Sequence, residues 1–208
     1  MRNKLSLILF VALSGFFSGN MTAIGQTLPG VELAYSDPST EIYLGAPSII
    51  KMDDGTYVAS HQFFGPGSCT CKTSIYESKD RGQSWTYLTT IDGQFWSNLF
   101  VWKNELYIMG ASERYGDLII RKSTDGGRSW TEPTNSTNGL LRNDVEYHTA
   151  PVPMVVHNGR IWRAVEDRFP AEKWGVNFRA FVISAPIDSD LLNAASWTTS
   201  NRIRYNQD

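Results

Sequence analysis

Ten side chains in this sequence are of types that move protons, hold anions or stack on flat rings. His61, Glu146, His148, Glu166 and Asp167 are candidate acids and bases, and Trp96, Arg114, Tyr115, Tyr147 and Arg168 are candidate binding groups. They fall in short stretches: His61-Gln62-Phe63-Phe64, Gln94-Phe95-Trp96, Ser112-Glu113-Arg114-Tyr115, Asp144-Val145-Glu146-Tyr147-His148 and Glu166-Asp167-Arg168. Paired carboxylates with an imidazole can work as acid and base at a glycosidic bond, where carboxyls ~5–10 Å apart are useful. Arginine can grip an anionic sugar bidentately, and aromatic rings can stack on pyranoses. Each group also has a plain structural use. His61 could bond a loop carbonyl, Glu113-Arg114 could be a solvated pair, and Glu166-Asp167-Arg168 could be an ion-pair cluster.

The elements that carry these stretches repeat. An apolar run, a turn and a second β-type run occur at Pro47–His61, Asn98–Ala111 and Pro153–Glu166. Asp53-Asp54-Gly55 and His157-Asn158-Gly159 supply the hairpin chemistry of the first and third copies. Aligning the copies on Tyr57, Tyr107 and Trp162 gives steps of 50 and 55 residues. Four short strands per step is the size of a propeller blade, and no stretch has sustained helical periodicity. The expected fold is therefore all-β, a partial β-propeller of about three four-stranded blades at 43–92, 93–141 and 148–200, after a linker at 26–42. In this alignment His61 and Glu166 occupy equivalent positions, and all ten side chains are expected at one end of the blades. A ring needs more than three blades, so the sequence reads as the N-terminal half of a longer propeller.

The other end is marked by a repeated octamer. Ser78-Lys79-Asp80-Arg81-Gly82-Gln83-Ser84-Trp85 and Ser123-Thr124-Asp125-Gly126-Gly127-Arg128-Ser129-Trp130 share the pattern S-x-D-x-G-x-x-W, with Asp80 and Asp125 45 residues apart. Ser and Asp can bond backbone N–H groups in a tight turn, Gly82 and Gly127 permit positive φ, and Trp85 and Trp130 can pack over the turn. Ser184, Asp188 and Trp197 echo the pattern with an inserted helical turn. The octamer resembles the Asp-box, or BNR repeat, of the sialidase superfamily. The segments Gly45-Ala46-Pro47-Ser48, Ser60–Gly67, Tyr147–Pro153 and Asp190–Trp197 are similar to a bacterial, sialidase-like branch of secreted proteins. That resemblance implies a propeller that is six-bladed when complete, an exo-α-sialidase-like glycoside hydrolase activity, and a structural role for Ser78, Asp80, Gly82, Trp85, Ser123, Asp125, Gly127 and Trp130. Gly45-Ala46-Pro47 stands where the family begins its first blade with Arg-Ile-Pro, and Gly65–Lys72 lacks the family's acid/base Asp. No sialidase catalytic residue carries over, and the missing arginine speaks against sialic acid.

Composition bounds the rest. The chain has 208 residues, a formal net charge of −2 and 41% apolar residues, enough for a sizeable core and without the basic excess of a nucleic-acid binder. Met1-Arg2-Asn3-Lys4, an apolar run from Leu5 to Phe17 and Ala23-Ile24-Gly25 read as a signal peptide over residues 1–25, so export to the periplasm or outside the cell is expected, with no membrane span after cleavage. No metal loop or cofactor motif is present, and a carbohydrate is the expected partner. Cys69 and Cys71 pose a problem. An exported pair reads as a disulfide, yet an extended C-x-C separates its Cα atoms by roughly 7 Å, which is awkward for a bridge. The functions that fit are a glycoside hydrolase, a non-catalytic glycan-binding propeller, and a polysaccharide lyase using histidine and tyrosine.

Overall fold

Alternation of apolar and polar residues with a period of two, rich in Ile, Val, Thr and aromatics, is what a half-buried strand requires. In the computed structural model, which describes residues 30–168, 175–176 and 178–204, these runs form fourteen strands. The expected signal peptide lies outside the described residues.

The first sheet is an antiparallel meander of β1 (Tyr43–Lys51), β2 (Tyr57–Phe64), β3 (Lys72–Ser78) and β4 (Thr86–Asp92). The second repeats it with β5 (Phe95–Trp102), β6 (Glu105–Ala111), β7 (Leu118–Ser123) and β8 (Leu140–Arg142). The third contains β9 (Glu146–His148), β10 (Val155–His157), β11 (Arg160–Arg168), β12 (Phe178–Pro186), β13 (Thr198–Thr199) and β14 (Ile203–Arg204). Both β9 and β10 pair with β11, and both β13 and β14 pair with β12. The third sheet is thus a four-position blade whose first and last strands are each broken in two.

The sheets pack face to face. Val58, Ile75 and Ile91 of the first sheet meet Leu99, Leu106 and Ile108 of the second. Met109, Leu118 and Ile120 meet Ile161, Val165 and Phe181 of the third. Each such side chain, fully buried, contributes about 1.5–3 kcal/mol of transfer free energy. Arg121, 3% exposed, ties the crossover between the first two sheets, donating to the carbonyls of Asp92 and Gly93 and to Gln94 Oε1.

The two octamers form the β3–β4 turn and the turn that follows β7, and they close with the same bonds. Ser78 Oγ donates to Asp80 Oδ1 (2.8 Å) and accepts from Gly82 N–H (2.8 Å), while Asp80 accepts from Ser84 N–H (2.9 Å). Ser123, Asp125, Gly127 and Ser129 repeat this at 2.8, 2.8 and 2.9 Å. Gly82 and Gly127 lie at φ 85° and 98°, which a Cβ would oppose. Trp85 and Trp130 are half-buried over these turns. Bonds from Ser84 and Ser78 lower the Asp80 carboxyl to about 2. Desolvation raises the Asp125 carboxyl, but its bonds from Ser129, Ser123 and Arg128 outweigh it and leave the pKa well below the usual range.

The third blade departs from the pattern. A 3-10 turn, Ala194–Ser196, occupies the expected insertion, and Trp197 is buried with its indole N–H on the Leu191 carbonyl. Ser184, however, bonds Arg160 and Thr198, and Asp188 pairs with Lys103, so no Ser–Asp turn forms.

Cys69 and Cys71 are joined by a disulfide across a Cα–Cα distance of 5.2 Å. The expected obstacle assumed extended backbone. Thr70 instead adopts φ 50°, which draws the two flanking Cα atoms together.

Candidate functional site

The end of the sheets opposite the octamer turns carries two aromatic side chains on left-handed backbone. Trp96 lies in a bulge of β5, between Phe95 and Asn98, at φ 45°. Its N–H donates to Gln62 Oε1 at 2.6 Å, and Gln62 Nε2 donates to the Ser97 carbonyl at 3.3 Å. The bulge lies flush on Gly110, where a Cβ would come within 2.5 Å of the Phe95 carbonyl oxygen. Tyr115, at φ 63°, occupies the β6–β7 loop, which is closed by Ser112 N–H to the Asp117 carbonyl at 2.8 Å. Bulky residues at positive φ persist only where their surroundings over-determine them.

Strand alternation supplies the charged groups. β9 and β11 pair as Glu146 with Arg168, Tyr147 with Asp167, and His148 with Glu166. Successive side chains point to opposite faces, so Glu146, His148, Glu166 and Arg168 share one face with Phe178 of β12, the partner of Arg168. His148 Nδ1 lies 2.6 Å from Glu166 Oε2, and Arg168 bonds Glu146. The His148 ring is 4.2 Å edge-on to Trp96 and 4.8 Å from Phe178, centroid to centroid. The Arg168 guanidinium lies 3.9 Å over the Tyr115 ring, and exposed Arg114 lies 5.3 Å from the same ring. Trp96, Tyr115, Glu146, His148, Glu166 and Arg168 therefore meet, with Arg114 at their rim.

Tyr147 and Asp167 do not join them. The same alternation turns both toward the second sheet, and both are fully buried. Asp167 is clamped by Arg179 at 2.7 and 3.0 Å and by Arg202 at 3.0 Å. The Tyr147 hydroxyl donates to Asp144 Oδ1 at 2.5 Å; burial, then this bond, push its phenol well above the usual range. Tyr147 and Asp167 are thus the buried centre of a polar network whose outer members, Asp144, Arg179 and Arg202, reach the surface.

His61 is also elsewhere. Its ring packs against Phe63 and Tyr76, with Nε2 3.0 Å from the Tyr76 hydroxyl, and burial holds its pKa below the ordinary value. The expected equivalence of His61 and Glu166 fails by one residue. Tyr57 pairs with octamer Ser78 and Leu106 with octamer Ser123, so those two correspond. Leu106 faces the first sheet as Ile161 faces the second, which extends the correspondence to Ile161. On this register Glu166 matches Ala111 and Gln62, not His61. A one-residue slip in a strand reverses every side chain. Gln62, which positions Trp96, and Phe178, which covers His148, were not foreseen as site residues.

Among the described residues no group of three or more His, Cys, Asp or Glu side chains converges as a metal site, and no helix is long and apolar enough to cross a membrane.

The fold is that of β-propeller glycoside hydrolases. A GH43 β-1,3-galactosidase solved with galactodeoxynojirimycin superposes with a TM-score of 0.57 at 15% identity, over 77% of this chain and 58% of that one. An exo-β-1,3-galactanase from Phanerochaete chrysosporium, solved with β-1,3-galactotriose, gives 0.55 at 16% identity, over 79% and 36%. The α-L-arabinofuranosidase from Lactobacillus brevis gives 0.52 at 14% identity, over 79% and 57%. The chain spans between 36% and 58% of the length of these solved structures. No protein-family model and no curated protein matches the sequence.

Proposed function

We propose that the face bearing Glu146, His148, Glu166 and Arg168 is the glycan-processing surface of an exported glycoside hydrolase. The observation that carries this is the His148–Glu166 pair at 2.6 Å, walled by Trp96, Tyr115 and Phe178. Glu146 and Glu166 are diagonal neighbours across β9 and β11, a relation that sets their Cβ atoms roughly 7–8 Å apart. Carboxyls ~5–10 Å apart suit acid–base cleavage of a glycosidic bond, a spacing that two glutamates on diagonal positions can reach. Glu166 is the acid or base, with His148 sharing its proton, and Glu146 the second carboxylate, oriented by Arg168. The aromatic rings stack on the sugar, and Arg114 and Arg168 favour an anionic or hydroxyl-rich one.

The fold of the matched hydrolases supports a glycoside hydrolase; the sialidase-like reading rests on the octamers, which are structural turns. Sialic acid is disfavoured by Gly45, which stands where the sialidase motif has its arginine and packs under the Phe64 ring, 3.1 Å from where a Cβ would lie. Release of reducing ends from a panel of galactans, arabinans, sialosides and uronic-acid polysaccharides tests the proposal. Activity abolished by Glu166→Gln supports it; activity indifferent to both Glu166→Gln and Glu146→Gln sinks it. A second reading, a polysaccharide lyase, is favoured by a histidine held by a carboxylate and standing near Tyr115. It would declare itself by an unsaturated, ultraviolet-absorbing product without uptake of water. Retained glycan binding without turnover in the native chain would identify a lectin-like propeller.

A further inference from the structure

The Cys69–Cys71 bridge lies in the β2–β3 loop, in the first blade. Its backbone does something more specific. The Thr70 carbonyl accepts from Arg114 N–H at 3.0 Å, and the next carbonyl, Cys71, accepts from Gln94 N–H at 3.0 Å. Arg114 immediately precedes Tyr115, and Gln94 lies two residues before Trp96. Two consecutive carbonyls thus reach the two segments that carry the strained aromatic residues, one in the β4–β5 crossover and one in the β6–β7 loop.

Thr70 is the means. It is β-branched and sits at φ 50°, a region its side chain disfavours, braced by its N–H on Ser68 Oγ at 3.1 Å. The 5.2 Å Cα–Cα distance across the bridge is incompatible with an extended Thr70, so the disulfide forbids the relaxation that would turn the carbonyl away. Cys69 is exposed and Cys71 half-buried, so the bridge adds little core packing of its own.

We propose that the Cys69–Cys71 disulfide is a positioning device for the aromatic wall: by holding Thr70 left-handed it docks the Trp96 and Tyr115 segments against the first blade. Calling that wall glycan-facing rests on the function proposed above; the positioning itself does not. Without the bridge, Thr70 relaxes toward extended backbone, the Arg114 and Gln94 amides lose their acceptors, and Tyr115 leaves Arg168 and His148.

Hydrogen exchange on the full chain tests this with no sugar present. In Cys69→Ser/Cys71→Ser, the Arg114 and Gln94 amides should exchange about tenfold faster, the size of a left-handed penalty for a β-branched residue. The Gly82 and Gly127 amides, bonded to Ser78 and Ser123 at the far end, should not change. Adding Thr70→Gly to the double variant should restore part of the protection, because glycine takes positive φ without a bridge. Unchanged exchange at Arg114 and Gln94, or an equal rise at all four amides, overturns the proposal. Where the chain hydrolyses a glycan, the double variant should raise KM while kcat stays near native. Failure to find any substrate leaves the exchange result standing, so the two readings fail separately.

Discussion

The two ends of these blades are built by opposite rules. At the octamer end, two turns 45 residues apart repeat the same Ser–Asp–Gly–Ser bonds to within 0.1 Å. The bonds that close the turns all join residues within four positions, with only the Arg128 side chain reaching farther, to Glu77, and positive φ falls on Gly82, Gly126 and Gly127 as well as on Arg81. At the other end, equivalent positions carry different chemistry: Gln62, Ala111 and Glu166 share one register, and so do Gly45, Phe95 and His148. Positive φ there falls on Ala46, Thr70, Trp96 and Tyr115 as well as on Gly65 and Gly93. Their contacts come from residues distant in sequence, such as Gln62 with Trp96. Repetition with local satisfaction marks a stabilising device, and divergence with non-local strain marks a place where a fold has been specialised.

That contrast can be broken at several points. The largest expected effect is at the specialised end. Glu166→Gln should lower hydrolysis by ~10²-fold or more while the melting temperature stays near native, measured by reducing-end release and calorimetry. A similar loss from a conservative substitution in an octamer turn would erase the distinction between the ends.

Gly110→Ala comes next. The added methyl meets Ser97 Oγ at 2.2 Å and the Phe95 carbonyl at 2.5 Å, so overpacking of about 1–3 kcal/mol is expected, with the Trp96 bulge displaced. Denaturant unfolding measures the first effect and Trp96-dependent glycan affinity the second. A fully stable variant with native affinity would mean that the bulge is not what fixes Trp96.

Asp80→Asn should act on stability alone. The Asp80 carboxyl is held at about 2, below its ordinary value of 3.8, so the stability it supplies is complete above the unfolded value and is lost as pH falls through the folded one. At pH 7 the variant should melt a few degrees below native, and the two curves should converge as the medium is acidified from about 4 to about 2. A constant difference over that window would show that the carboxylate charge is irrelevant to the turn.

The smallest effect belongs to His61. Burial lowers its pKa in the folded chain below the ordinary 6.5, so the unfolded chain binds the proton first and stability falls as pH drops below that value. His61→Phe should flatten the melting profile as pH falls below the ordinary 6.5 and leave glycan turnover unchanged. Loss of turnover in that variant would return His61 to the site.

Much of this was legible in the residues. The octamers, the Asp-Gly and Asn-Gly turns and the two-residue alternation sufficed for an all-β, blade-like fold, because each signal is satisfied by neighbours a few positions away. Glu146, Tyr147 and His148 illustrate the limit. Adjacent in the chain and alike in polarity, they were grouped together, yet a strand sends the middle one to the opposite face, where Asp144 accepts its hydroxyl. The same holds for Asp167 between Glu166 and Arg168. That division follows from alternation alone once the residues are known to be in a strand. The match of His61 to Glu166 fails because aromatic residues are free to slide by one position along a strand; the pairs Gly45–Gln62, Phe95–Ala111 and His148–Glu166 fix the register instead.

By itself, then, the sequence determined the local geometry: which segments are strands, where they turn, and that two turns are copies. Only the tertiary structure decided which charged residues share a face, that Gln62 holds Trp96, that Arg168 lies over Tyr115, and that Thr70 bends far enough to bridge Cys69 and Cys71. The contacts of Gln62 with Trp96 and of Arg168 with Tyr115 join residues dozens of positions apart, and their energies depend on sheet register and blade packing, which no window of the chain contains; the bridge, though local, turns on the one left-handed φ at Thr70.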